Sequence, residues 1–161
     1  MSYDFIVLHR QPGQAWEQVL EALERLAMEG PDRRLSPAAR ARAERIADRL
    51  QAHDPLLERF ASEHCIELDR PDDSGVQVSL FEHELGVTVP YWHTGQAARA
   101  VMRLVWSYLA ILEQETGWET YDPQLGRSLD RARDLEVVSG RHADMSARLP
   151  GLVRGDGSST S

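Results

Sequence analysis

Lysine is missing from the 161 residues: all 18 basic side chains are arginine. A GC-rich genome is the plain cause. The functional one would be a demand for forked, bidentate donors. Cysteine occurs once, as Cys65, which excludes an internal disulfide framework and suits a reducing compartment. Long apolar runs are also missing, so no stretch reaches the length that spans a bilayer. The opening MSYDFIVLHR lacks the charged start and apolar core of a signal peptide. The expectation is a soluble, cytoplasmic chain without a membrane partner.

Positive charge is in deficit. The formal net charge is -8 and the sequence pI is about 5.2. A general nucleic-acid binder needs excess cations to displace counterions, so that class is excluded. A basic protein surface is a permitted partner.

What the chain does have is a helix pattern at 94–117. Val101, Leu104, Val105, Tyr108, Ile111 and Leu112 recur at steps of three and four, with Met102, Trp106 and Leu109 as a second strip beside them. A helix this apolar is covered on more than one side and reads as the core helix. Thr94 is its candidate N-cap. Gly117 suits the left-handed residue after its last turn.

Ahead of it, residues 3–9 read as a first strand. Residues 15–28 form an amphipathic helix with Trp16, Val19, Leu20, Leu23, Leu26 and Ala27 inward. Ser36-Pro37 announces a second helix to about residue 52, capped by Ser36 and started by Pro37. Its inner stripe of Ala39, Ala43, Ile46, Ala47 and Leu50 is narrow and small. Residues 56–60 suggest a short helical turn. The period then becomes alternating: a strand at 65–68, another carrying Val76, Val78 and Leu80, and a third carrying Val87, Val89 and Tyr91. This is an antiparallel meander, with Pro90 at a strand end or an edge. Residues 118–122 add a last strand, 130–138 a short helix, and 151–161 a mobile tail.

The expected fold class is α+β: a mostly antiparallel sheet of about four to five strands, with a long central helix and two further helices packed on it. Residues 1–130 form a single domain. Residues 131–161 form a C-terminal tail, partly helical and then disordered.

No catalytic constellation emerges, and neither a cofactor nor a metal is expected. Glu82-His83-Glu84 with His93 offers ligand types for a metal. The spacing is not HExxH, and alternate strand residues point to opposite faces, so solvated turn charges read better. Asp69, Asp72, Asp73 and Gly75 fail the spacing of a calcium loop. His64 and Cys65 are neighbours in a strand and point apart. Tyr121-Asp122 lacks a matched second group. Arg33, Arg34, Arg40, Arg42, Arg45 and Arg49 make the second helix basic. Glu44 and Asp48 interrupt the run, and no aromatic residue interleaves for base stacking.

The acidic run Glu63, Glu67, Asp69, Asp72, Asp73, Glu82 and Glu84 holds one arginine, Arg70. Charge that keeps a sheet edge from pairing is its plain reading. The functional one is a surface that covers a basic partner. Asp69, Asp72, Asp73, Glu82 and Glu84 would supply the charge, and Tyr91 and Trp92 an apolar centre.

MSYDFIV at the start and ETGWETYDPQ near the end resemble a group of small bacterial proteins. These open with an MSYDL-like strand and close with a helix, a strand and a YDPQ-like motif. Some members look like immunity proteins that neutralise secreted toxins. The resemblance implies a non-enzymatic binding module whose partner is a toxin with a basic surface, blocked by occlusion. It covers the frame at 1–124 and carries over no catalytic residue. The alternative is a small metal- or ligand-binding enzyme using His83, His93 and nearby carboxylates. A third reading is a homo-oligomer joined through the open sheet edge or the long helix.

Overall fold

Strand β1 (Ser2–Leu8) is the axis of the sheet. The computed structural model, which describes residues 1–30 and 33–154, pairs it with β5 (Leu85–Pro90) on one side and β6 (Glu119–Asp122) on the other. Beyond β5 lie β4 (Gln77–Leu80), β3 (Ile66–Asp69) and β2 (Glu58–Ala61). Beyond β6 lies β7 (Arg127–Ser128). The order is β2-β3-β4-β5-β1-β6-β7, and every pairing is antiparallel. The class is α+β as expected, but the sheet has seven strands rather than four to five.

The extra edge strand β2 replaces the helical turn expected at 56–60. Asp54 ends the preceding helix, and its carboxylate accepts the Leu56 N–H at 3.2 Å. The chain then runs straight along β3, with Phe60 opposite Glu67. Leu57 enters the core while Leu56 and Phe60 stay exposed.

Helix α1 (Trp16–Glu29) differs too. Only Val19 of its expected inner face is buried. The helix lies across the end of the sheet that carries the β4–β5 turn, and a gap separates its apolar side from the core. Helix α2 (Pro37–His53) follows expectation: Ser36 Oγ accepts the Ala39 N–H, and Ala39, Ala43, Ile46, Ala47 and Leu50 are buried. Helix α3 (Gly95–Thr116) is the central core helix. It packs against α2, the sheet and the last helix, and Gly117 ends it at φ 70°. Thr94 precedes it without a side-chain cap.

Helix α4 (Leu135–Arg154) is longer than the short helix expected at 130–138. It packs on α3 and sends Val138, Ser139, His142 and Ser146 inward. Three of those four are polar, so no apolar stripe marks the helix in the sequence. Residues 155–161, the rest of the expected tail, lie outside the described residues. Among the described residues no helix is long and apolar enough to cross a membrane.

Candidate protein-binding face

Alternation along the strands decides which side chains meet. On one face Tyr3, Phe5, Val7, Ile66, Leu68, Val78, Leu80, Leu85, Val87 and Val89 join the core under α2, α3 and α4. Directly opposed residues share a face, so the register defines the other side. One row runs Glu58, Asp69, Gln77, Thr88, Asp4; the next runs Phe60, Glu67, Ser79, Gly86, Ile6, Tyr121, Ser128. Trp16 of α1 lies on Tyr121 and donates to Ser128 Oγ at 2.7 Å, covering the β6–β7 side. The β2–β5 side stays open, with Phe60 52% exposed in its row.

This open face has one sign of charge. Asp4, Glu58, Glu67 and Asp69 lie on it, and no arginine occupies an open-face position of β1 to β5. Arg59, between Glu58 and Phe60, faces the other way and pairs with Asp48 at 2.6 Å.

The expected acidic residues do not form one patch. Glu67 and Asp69 lie on the open face. Asp72 and Asp73 sit in the β3–β4 turn, beyond its Asp69 end. Burial pushes the Asp72 carboxyl up, but hydrogen bonds from Ser74 and Arg70 outweigh that and hold it below the usual range. Glu82 and Glu84 lie at the opposite end, in the β4–β5 turn. Burial raises Glu82 as well, yet the Ser36 N–H, donated at 2.8 Å, helps bring it below its ordinary value. Glu84 is half-buried beside α1, and burial raises its pKa.

The two expected aromatics divide. Tyr91 stacks on His142 at 5.6 Å and meets Tyr3 edge-on at 6.4 Å, so it belongs to the packing under α4. Trp92 is 61% exposed, and its Nε1–H donates to the Asp73 carbonyl at 2.8 Å. It lies beside Gly75 and Pro90, at the same end as the Asp72-Asp73 turn.

His83 and His93 stand at opposite ends of β5, which keeps them out of one site. The His93 ring stacks on His142 and its Nε2 meets the Ser74 carbonyl. Among the described residues no group of three His, Cys, Asp or Glu side chains is placed to hold a metal. His64 Nδ1 meets the Arg33 carbonyl at 2.7 Å, while Cys65 Sγ meets Ser62 Oγ at 3.8 Å. The α2 arginines are dispersed: Arg40 reaches the Ser62 carbonyl, Arg49 reaches Glu115, and Arg42 reaches the β4–β5 turn. The broad apolar surface of α3 is used inside the molecule.

No protein-family model, curated protein or solved structure matches the chain. Asp4, Glu58 and Phe60 were missed in the sequence. Asp4 does alternate with Tyr3 and Phe5, but only the register to Thr88 places it in the same row as Asp69 and Glu58, on the same face of the sheet.

Proposed function

We propose that the protein is a non-catalytic binding module whose open sheet face covers a basic surface on another protein. The observation that carries this is the single sign of charge on an uncovered face: Asp4, Glu58, Glu67 and Asp69 with no arginine among them. Opposed fields steer encounter and raise the association rate.

Size sets the boundary of the contact. Five strands about 4.8 Å apart and four residues long cover roughly 300 Å². A stable interface needs about 800 Å² on each partner. The contact must therefore spread past the strands, and the neighbouring Asp72-Asp73 turn and Trp92 are its extension. Trp92 and Phe60 supply the apolar anchors that charge alone does not.

The partner class this fits is a secreted toxin with a cationic active cleft, neutralised by occlusion in the cytoplasm of the cell that makes it. Support comes from the MSYDFIV and YDPQ resemblance, the net charge of -8 and the single free cysteine.

The test is capture from host lysate and secreted fraction by the native chain and by the double variant Glu67→Arg/Asp69→Arg. A basic protein held by the native chain, released by moderate salt and lost with the variant supports the reading. Equal retention by both removes this face as the interface.

A further inference from the structure

A groove lies away from the open face, between α1 and the start of α2. It measures about 590 Å³, within the range of small-molecule sites. Val19, Leu23 and Leu26 of α1 form one wall, and Arg42 and Trp118 stand opposite. A second cavity of about 270 Å³ continues it past Leu23 towards Phe81. The space is a groove open to solvent, with the apolar side of an amphipathic helix along it.

Arg42 gives the cavity its chemistry. Arg10, Arg49, Arg59, Arg70, Arg127 and Arg131 each touch a carboxylate. Among the described residues Arg42 touches none. One of its Nη groups donates to the carbonyls of Phe81 and Glu82, at 3.1 and 2.9 Å. Its Nε–H is buried and has no acceptor. The guanidinium rests on the Trp118 ring at 4.6 Å. Glu82, whose field does reach Arg42, gives its carboxylate to the Ser36 N–H. Burial lowers the Arg42 pKa, and the Glu82 field offsets that only in part. The first turn of α2 borders the same space and adds the positive end of a helix dipole.

We propose that this cavity binds a free single-chain aliphatic carboxylate, its chain along Val19, Leu23 and Leu26 and its headgroup at the Arg42 guanidinium. A carboxylate is the charge complement of a guanidinium that makes no ion pair of its own, and a hydrogen bond from a cation is stronger than one between neutral groups. Glu82 and Glu84 at the β4–β5 turn repel a second negative charge, which favours a monoanion over a phosphate. Each buried methylene adds affinity, so two more carbons tighten binding about tenfold until the cavity is full. The site is separate from the open face, and its test does not bear on that reading.

The experiment is titration of the full chain with sodium decanoate below its micelle concentration, and with decanol as the neutral counterpart, followed by calorimetry. The expected result is saturable one-to-one binding, with decanoate at least tenfold tighter than decanol. Arg42→Gln abolishes that preference while decanol affinity changes less than twofold, and Leu23→Asp removes both ligands. Thermal melts check that each variant folds. If Arg42→Gln does not, the decanoate preference of the native chain and the Leu23→Asp loss carry the test. Absence of saturable decanoate binding, equal affinity for both ligands, or sedimentation with phosphatidylglycerol vesicles in place of monomer binding overturns the proposal.

Discussion

The Tyr3 hydroxyl donates to Asp122 Oδ2 at 2.7 Å, and this bond joins the two motifs on which the resemblance rests. MSYDFIV and YDPQ lie at opposite ends of the frame in sequence, yet β1 pairs with β6 and the two meet. Both side chains are buried, and Asp122 Oδ1 accepts the N–H groups of Gln124 and Leu125. The motif pair is thus a structural latch on the sheet.

Tyr3→Phe leaves the ring and strips one buried carboxylate oxygen of its donor. The cost should be about 1–3 kcal/mol at pH 7. Burial raises the Asp122 pKa. A raised folded pKa contributes stability below the unfolded value near 3.9, and that contribution is lost as pH rises through the folded value. With its donor gone the carboxylate is harder still to ionise, so the Tyr3→Phe penalty should be larger at pH 7 than at pH 4. Urea denaturation of both proteins at both pH values measures it. An equal penalty would show that the hydroxyl does not stabilise the charged form.

His142 is fully buried on α4, stacked between Tyr91 and His93, with Nε2 at 2.9 Å from the Pro90 carbonyl. Burial lowers its pKa, so the folded chain holds it neutral. In the unfolded chain it protonates near pH 6.5. The unfolded state therefore binds the extra proton, and this site's stability is present above pH 6.5 and lost as pH falls towards the folded value. Between pH 7 and pH 5 the native chain should lose more stability than His142→Leu. Parallel slopes in chemical denaturation would assign the acid sensitivity to other groups.

Asp54 ties three elements together. It accepts from the Tyr108 hydroxyl of α3 and from Arg70 Nη1 at 2.6 Å, just after the end of α2. Tyr108 has no exposed surface, and burial raises its pKa along with the bond to Asp54. Asp54→Ala strands the hydroxyl and leaves Arg70 with Asp72 alone, at a cost of about 3 kcal/mol. Asp54→Ala/Tyr108→Phe should recover part of that loss, since the stranded donor is gone too. A double-mutant cycle by thermal denaturation reads the coupling, and strict additivity would refute it.

Gly75 holds φ +65° in the β3–β4 turn. A Cβ there would collide with the Trp92 indole and stand 2.6 Å from Pro90 Cγ. Gly75→Ala should cost about 1–2 kcal/mol from the left-handed backbone alone. It should also push Trp92 off Asp73, visible as a red shift of tryptophan emission. An unshifted spectrum would mean that Trp92 is not seated on this turn.

How far the sequence foretold these sites follows from where polarity falls. Helix α3 was legible because Val101, Val105, Tyr108 and Leu112 keep a helical period and are all buried. Helix α4 was not, because Ser139, His142 and Ser146 occupy its inner face. Helix α1 misled in the opposite sense: its apolar face is real, but Leu23 and Leu26 line a cavity instead of filling a core. Glu82 and Glu84 seemed to belong with Asp72 because they are near in sequence, yet β4 carries the chain to the other end of the sheet between them. Strand β2 was hidden because Phe60 and Ala61 remain exposed on an edge that only pairing with β3 defines.

Charge and apolar anchoring on the proposed interface should separate in kinetics. Glu67 and Asp69 lie on an open face where charges act before contact, through the field that steers encounter. Reversing both should lower the association rate about tenfold or more and flatten its dependence on salt, with little change in dissociation. Trp92 acts after contact. Its indole is exposed in the free chain, so Trp92→Ala costs little folding stability, but a buried tryptophan anchor is worth about 2 kcal/mol or more in a complex. Trp92→Ala should therefore speed dissociation about thirtyfold and leave association almost unchanged. Surface-immobilised partner and stopped-flow measurements at two salt concentrations resolve the two rates. If the charge variants alter only dissociation, the face binds by direct ion pairs and steering is excluded. If Trp92→Ala alters neither rate, the interface stops short of the β3–β4 turn, and Phe60 on the β2 edge becomes the anchor to vary.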